Sequence, residues 1–92
     1  MTRVKYGPKF LDALERLDRS NRRRALKAVD KFIMNPSLPG LNLEKLPGFE
    51  GLWSIRYTQG DRILLSKGED AQGEVWTLHD AGPHDIYRRA GR

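Results

Sequence analysis

The sequence predicts an α+β domain: a short N-terminal strand, a helical hairpin, and a three-stranded antiparallel meander forming one sheet with the helices on one face. Three observations carry this. Apolar residues between positions 10 and 33 recur at the spacing of amphipathic helices. Three short runs further on, residues 52–58, 62–67 and 74–79, are rich in β-branched, aromatic and aliphatic residues. Pro and Gly punctuate the boundaries, so the order reads strand, helix, helix, then three strands.

Each element follows from its residues. Arg3-Val4-Lys5-Tyr6 alternates polar and apolar side chains until Gly7-Pro8 breaks the strand, and Pro8 suits the opening turn of a helix. Phe10, Leu11, Leu14 and Leu17 then form one stripe, with Asp12, Glu15 and Arg16 between them. Residues 18–21 form a turn in which Ser20 suits an N-cap, and the second helix runs to about Asn35, where Pro36 stops it. Ala25, Ala28, Val29, Phe32 and Ile33 make its inward face. Arg22, Arg23, Arg24, Lys27 and Lys31 are left for other faces.

Residues 36–40 read as loop, and residues 41–46 as an ordered, weakly alternating connection that ends at Pro47-Gly48. The strand runs are joined by residues 59–61 and 68–73, links short enough for an antiparallel meander. Phe10, Leu14, Leu17, Val29, Phe32, Ile33, Ile55, Ile63 and Leu78 are expected to share one core. The whole of residues 1–92 reads as a single domain, since a chain this short has no room for a second core.

Composition narrows the function. Seventeen Lys and Arg against twelve Asp and Glu give a net charge of +5, which favours an anionic partner, nucleic acid first. No cysteine is present, so disulfide frameworks and thiolate zinc sites are excluded, and two histidines make a poor metal cluster. The N-terminus has no apolar signal-like region and no apolar run approaches the ~20 residues of a membrane span. The expectation is a cytoplasmic protein with no membrane partner.

Two arginines, Arg56 and Arg62, stand inside strand-like runs where neutral or apolar residues are usual. Each either contacts phosphate or pairs with Glu50, Asp61 or Asp80. Whether they share a sheet face depends on register. A three-residue loop at 59–61 pairs Thr58 with Arg62 and puts Arg56 on the same face, whereas a two-residue loop separates them. The 22–27 cluster of Arg22, Arg23, Arg24 and Lys27 reads either as a solvated helix face or as a phosphate-attracting surface. Trp53 and Trp76 are expected in the core or at a partner interface rather than stacked on bases.

Leu46-Pro47-Gly48, the segment 51–56, Asp61-Arg62-Ile63 and the segment 81–90 together resemble the RelE/ParE superfamily of toxin–antitoxin toxins, in particular its RelE-like branch. The resemblance covers almost the whole chain, because the preceding helical hairpin is also the family's order. It implies a ribosome-dependent endoribonuclease that cuts messenger RNA without metal or cofactor, by attack of a 2'-hydroxyl on the adjacent phosphate. It also implies a cognate antitoxin, an oligomer formed with it, and contact with ribosome and messenger RNA.

Such chemistry needs a base, cations for the developing phosphorane charge, and an acid for the leaving oxygen. Arg62 matches the arginine that stabilises the scissile phosphate in several members, and Arg56 matches a second strand arginine. Tyr87 matches a tyrosine used near that phosphate or stacked on a base. His84, three residues before it, is the residue type best poised for proton transfer near neutral pH. Glu44 and Lys45 stand where relatives place a carboxylate or lysines, although a single Lys45 replaces a richer cluster. His79 reads as structural. Two other readings accompany the nuclease: a ParE-like protein that inhibits DNA gyrase by binding, and a catalytically degenerate binding module.

Overall fold

The computed structural model describes residues 1–83, 85 and 86. Strand β1 (Val4–Tyr6) leads into α1 (Pro8–Arg16) and α2 (Arg19–Met34). A 3-10 turn (Pro39–Leu41) then precedes β2 (Glu44–Lys45), β3 (Leu52–Arg56), β4 (Asp61–Asp70) and β5 (Gly73–Pro83). The described residues form one five-stranded sheet in the order β1-β5-β4-β3-β2, parallel between β1 and β5 and antiparallel elsewhere.

Helix α1 starts at Pro8, directly after Gly7. A Cβ at Gly7 would stand 2.6 Å from the Leu78 carbonyl oxygen, so only glycine lets β1 run this close to β5 before turning into the helix. Asp18, not Ser20, caps α2: its carboxylate accepts from the Asn21 amide at 2.7 Å. Both residue types cap helices well, but the helix starts at Arg19, so Ser20 is already inside the first turn. Only Leu17 and Asp18 separate the two helices.

Phe10, Ala13 and Leu14 of α1 and Ala25, Ala28, Val29 and Phe32 of α2 are buried against Ile55, Ile63, Leu65, Trp76 and Leu78 of the sheet. Leu17 and Ile33 border this core half-buried. Phe32 and Trp53 each meet the Trp76 ring edge-on, with centroids 5.2 and 5.5 Å away. Both tryptophans therefore belong to the helix side of the sheet.

The meander differs from expectation in two places. Two residues of the 41–46 connection, Glu44 and Lys45, pair with β3 as an additional edge strand. The link at 68–73 shrinks to a turn at Ala71 and Gln72, because pairing of β4 with β5 continues out to Asp70 opposite Gly73. Asp70 holds this tip by accepting from the Gln72 amide at 2.9 Å, and Gly73 takes the positive φ of 109° that closes it. Arg3 then donates to the Asp70 carboxylate and to the carbonyls of Gly73 and Glu74, fastening the N-terminus to the hairpin. With Arg3 beside it and the Gln72 amide on it, the Asp70 carboxyl is held down at about 2.

The face away from the helices is less open than its helix-free position suggests. Ser54, Leu64 and Asp80 are buried there, and Lys9 from the first turn of α1 reaches to within 3.6 Å of Asp80.

Candidate functional site

The β3–β4 hairpin brings its two arginines together. Thr58, Gln59 and Gly60 form the turn, closed by the Tyr57 amide donating to the Asp61 carbonyl at 3.1 Å and by the Thr58 hydroxyl donating to the Asp61 carboxylate at 2.6 Å. Arg56 is consequently the direct partner of Arg62. The pairing of Thr58 with Arg62 does not occur. The shift is by two residues, an even number, so the shared face survives.

Two guanidinium groups opposite one another on a sheet repel. Among the described residues neither forms an ion pair, so pairing with Glu50, Asp61 or Asp80 is not how the structure uses them. Arg62 instead donates to the carbonyls of Gln59 (3.3 Å) and Asp61 (3.1 Å), which orients it along the hairpin end. Its pKa is lowered, first by burial and then by the Arg56 charge, with Glu44 and Asp61 working in the opposite direction. Arg56 Nε is buried with no hydrogen-bond partner among the described residues. A buried, unmet donor beside a second cation is an arrangement that an anion would stabilise.

Glu44 joins this face. It pairs with Ser54, two residues from Arg56 on the same side of β3, and its carboxylate accepts from the Asn42 amide side chain at 2.8 Å. Asn42 adopts the left-handed backbone (φ 49°) that turns the chain into β2. Lys45 does not join. Strand alternation pairs it with Trp53, which faces the helices, so it is removed from the arginine pair that it was expected to accompany.

The helical cations divide. Arg22 is not free for phosphate: it donates to the carbonyls of Leu14 (2.8 Å), Glu15 (3.2 Å) and Leu17 (3.0 Å), satisfying the C-terminal end of α1. Arg23 is exposed, and Arg24 donates to the Asn21 side chain at 3.2 Å. Arg24 and Lys27 border the same cleft as Arg56, which joins part of the cluster to the sheet site. His84 and Tyr87 lie outside the described residues. The chain leaves β5 at Pro83, opposite Asp61 and one position from Arg62, so the strand end that precedes them adjoins the arginine pair.

A second group of polar residues occupies the same sheet face further along. The pairing of β4 with β5 shifts between Leu64 and Leu65, and His79 falls at this irregularity. Its Nε2 is 2.7 Å from the Ser66 hydroxyl. Burial lowers the His79 pKa, and the charge of Lys9 lowers it further. Lys9, Phe49, Leu52, Leu64, His79 and Asp80 border a cavity of about 560 Å³. Sequence reasoning takes His79 as structural but does not connect it with Ser66, Lys9 or Asp80. Ser66 and Lys9 are distant from His79 in sequence, and His79 meets Ser66 at the register shift.

The sequence matches no protein-family model and no curated protein. Solved structures do match. The YoeB/ParE toxin from Agrobacterium tumefaciens superposes with a TM-score of 0.70 at 17% identity, over 90% of this chain and 99% of that one. A chain of the archaeal RelE–RelB complex from Pyrococcus horikoshii gives 0.67 at 24% identity, over 89% and 93%. A mutant of the E. coli toxin RelE in the free state gives 0.66 at 16%, over 98% and 94%. The chain therefore has the fold of the RelE/ParE toxins, as its motifs implied.

Proposed function

We propose that this chain is the toxin of a type II toxin–antitoxin system and acts as a metal-independent, ribosome-dependent messenger RNA endoribonuclease. The observation that carries the reading is the Arg56–Arg62 pair, two cations on one sheet face without carboxylate partners among the described residues and with Glu44 on the same face. The motif resemblance and the toxin fold supply the biological setting.

In the proposed reaction, Glu44 takes the proton of the 2'-hydroxyl as its oxygen attacks the neighbouring phosphorus. The two guanidinium groups bind the non-bridging oxygens and stabilise the negative charge that grows there. His84 returns a proton to the 5'-oxygen as the P–O bond breaks, and Tyr87 contacts the scissile phosphate or stacks on a base. The products are a 2',3'-cyclic phosphate and a 5'-hydroxyl end. An antitoxin that covers the basic surface would hold the activity in check, as the RelE–RelB pairing of one structural neighbour suggests.

Mapping messenger RNA 5' ends after brief induction, with and without active ribosomes, tests the reading. Cleavage should require ribosomes, and Arg62→Ala should slow it by ~100-fold or more while leaving the protein folded. Toxicity that persists in Arg62→Ala without any transcript cleavage by the parent protein would reject the nuclease and leave gyrase inhibition as the explanation.

A further inference from the structure

Arg24, Lys27 and Lys31 lie at i, i+3 and i+7 on α2 and so form one stripe along the helix. This stripe borders a cleft of about 260 Å³ whose other walls include Leu41, Arg56 and Tyr57. Four cations thus surround one small space. Among the described residues no carboxylate lines it, and none of the four forms an ion pair. Asp30, an acid of the same helix, borders the neighbouring groove with Arg19 and Arg23. Arg56, one of these walls, also has a buried Nε that lacks a partner among the described residues. Tyr57 keeps its proton over the whole physiological range, its phenol pushed up to about 12 by burial and by the charges of Asp61, Asp80 and Asp18.

We propose that this cleft binds a backbone phosphate of the single-stranded RNA substrate, one outside the bond that is cut, with Arg56 shared between it and the Arg62 side. Naming RNA as the ligand rests on the nuclease reading above; the anion site itself rests on the cleft. The chemistry fits a phosphodiester. Arginines offer forked donors to its oxygens, lysines supply point charge, and among the described residues no acid stands in the walls to compete for these cations at contact distance. An acidic helix would need an apolar groove for its anchoring side chains, and beyond the ring of Tyr57 the walls formed by the described residues provide only Leu41 and Ala28. Continuity favours RNA as well, because a chain held at Arg62 by one phosphate passes Arg56 with another nearby. Lys31 enters the binding surface on this argument, and Arg22 leaves it.

The test is fluorescence anisotropy with a short single-stranded RNA whose 2'-hydroxyls are methylated, so that it binds but cannot be cleaved, across a salt series. The R24Q/K31Q protein should bind about 10-fold more weakly at low salt, and the slope of log K against log salt should fall by about 0.7, the value for one phosphate that is no longer neutralised. R16Q/R19Q removes the same charge away from the cleft and should leave the slope unchanged. Equal effects from both variants would show general charge attraction and overturn the proposal. So would parental RNA binding by R24Q/K31Q accompanied by loss of an acidic antitoxin. If R24Q/K31Q changes the slope but the parent never cleaves unmodified messenger RNA on ribosomes, the phosphate site stands and the nuclease reading falls.

Discussion

Replacing Arg22 and Arg23 one at a time separates a structural arginine from a surface one within a single charge run. Both substitutions to Ala remove one positive charge from the first turns of α2, so the effect on net charge is the same. Arg22 loses three bonds to carbonyls at the end of α1, at 2.8, 3.2 and 3.0 Å, whereas Arg23 is exposed and loses little. A bond from a charged donor contributes about 1.5 to 3 kcal/mol net, and a cation at a helix C-terminus about 0.3 to 1 kcal/mol. These do not add, because the site is only part-buried and water replaces some bonds, so Arg22→Ala should cost about 2 kcal/mol. In a domain of this size that lowers Tm by about 8 to 16 °C. Arg23→Ala should stay within about 0.5 kcal/mol. Thermal unfolding followed by circular dichroism reads both directly. Equal Tm values would refute the assignment of Arg22 to the helix end and return it to the anion-binding surface.

Other outcomes follow from the same structure. Phe32 is fully buried against the Trp76 ring, so Phe32→Ala should lower stability by ~3 to 5 kcal/mol in urea titration, much of what a small domain has. His79 has a folded-state pKa below its unfolded value, so its contribution is complete above an unfolded pKa of about 6.5 and declines as pH falls below that. Denaturant titrations between about pH 5 and 8 should show this loss, and His79→Gln should flatten it. Asp70 behaves as a depressed carboxylate: its stabilisation is present above the unfolded value of about 3.9 and disappears as pH falls toward 2. Arg3→Gln should weaken that acid limb, measured by the pH of half-unfolding.

The fold was legible because its main signals are local. The stripe through Phe10, Leu14, Val29 and Phe32 has helical period, and Ile55, Ile63, Leu65 and Leu78 stand on one side of alternating strands. What escaped depends on contacts between distant residues. The extension of β4 and β5 to Asp70 and Gly73 is polar and Gly-containing, and Arg3 from the other end of the chain helps to hold it. Strand β2 is two residues long, too short for any period to show.

At the site, charge inside strands singled out Arg56 and Arg62, and the structure sets them opposite one another with no carboxylate partner among the described residues. Lys45 looked equivalent to Glu44 because neighbours in sequence share a locality, but alternate residues of a strand do not share a face. Arg22 looked like Arg23 for a related reason. Composition records charge and not which carbonyls lie beside it.

The parallel strand β1 makes the N-terminus one of the last parts of the sheet that can form. Its clamp joins Arg3 to Asp70 across 67 residues of chain, a closure that costs about 4 kcal/mol by length alone, against a β4–β5 hairpin that needs almost none. Folding should therefore start from the long hairpin and end with β1 docking, and before that step β5 presents a free edge. Three residues of β1 stand between that edge and pairing with another chain. A chain shortened to begin after Tyr6 should accordingly lose solubility before it loses its helices, because what it exposes is an unpaired strand.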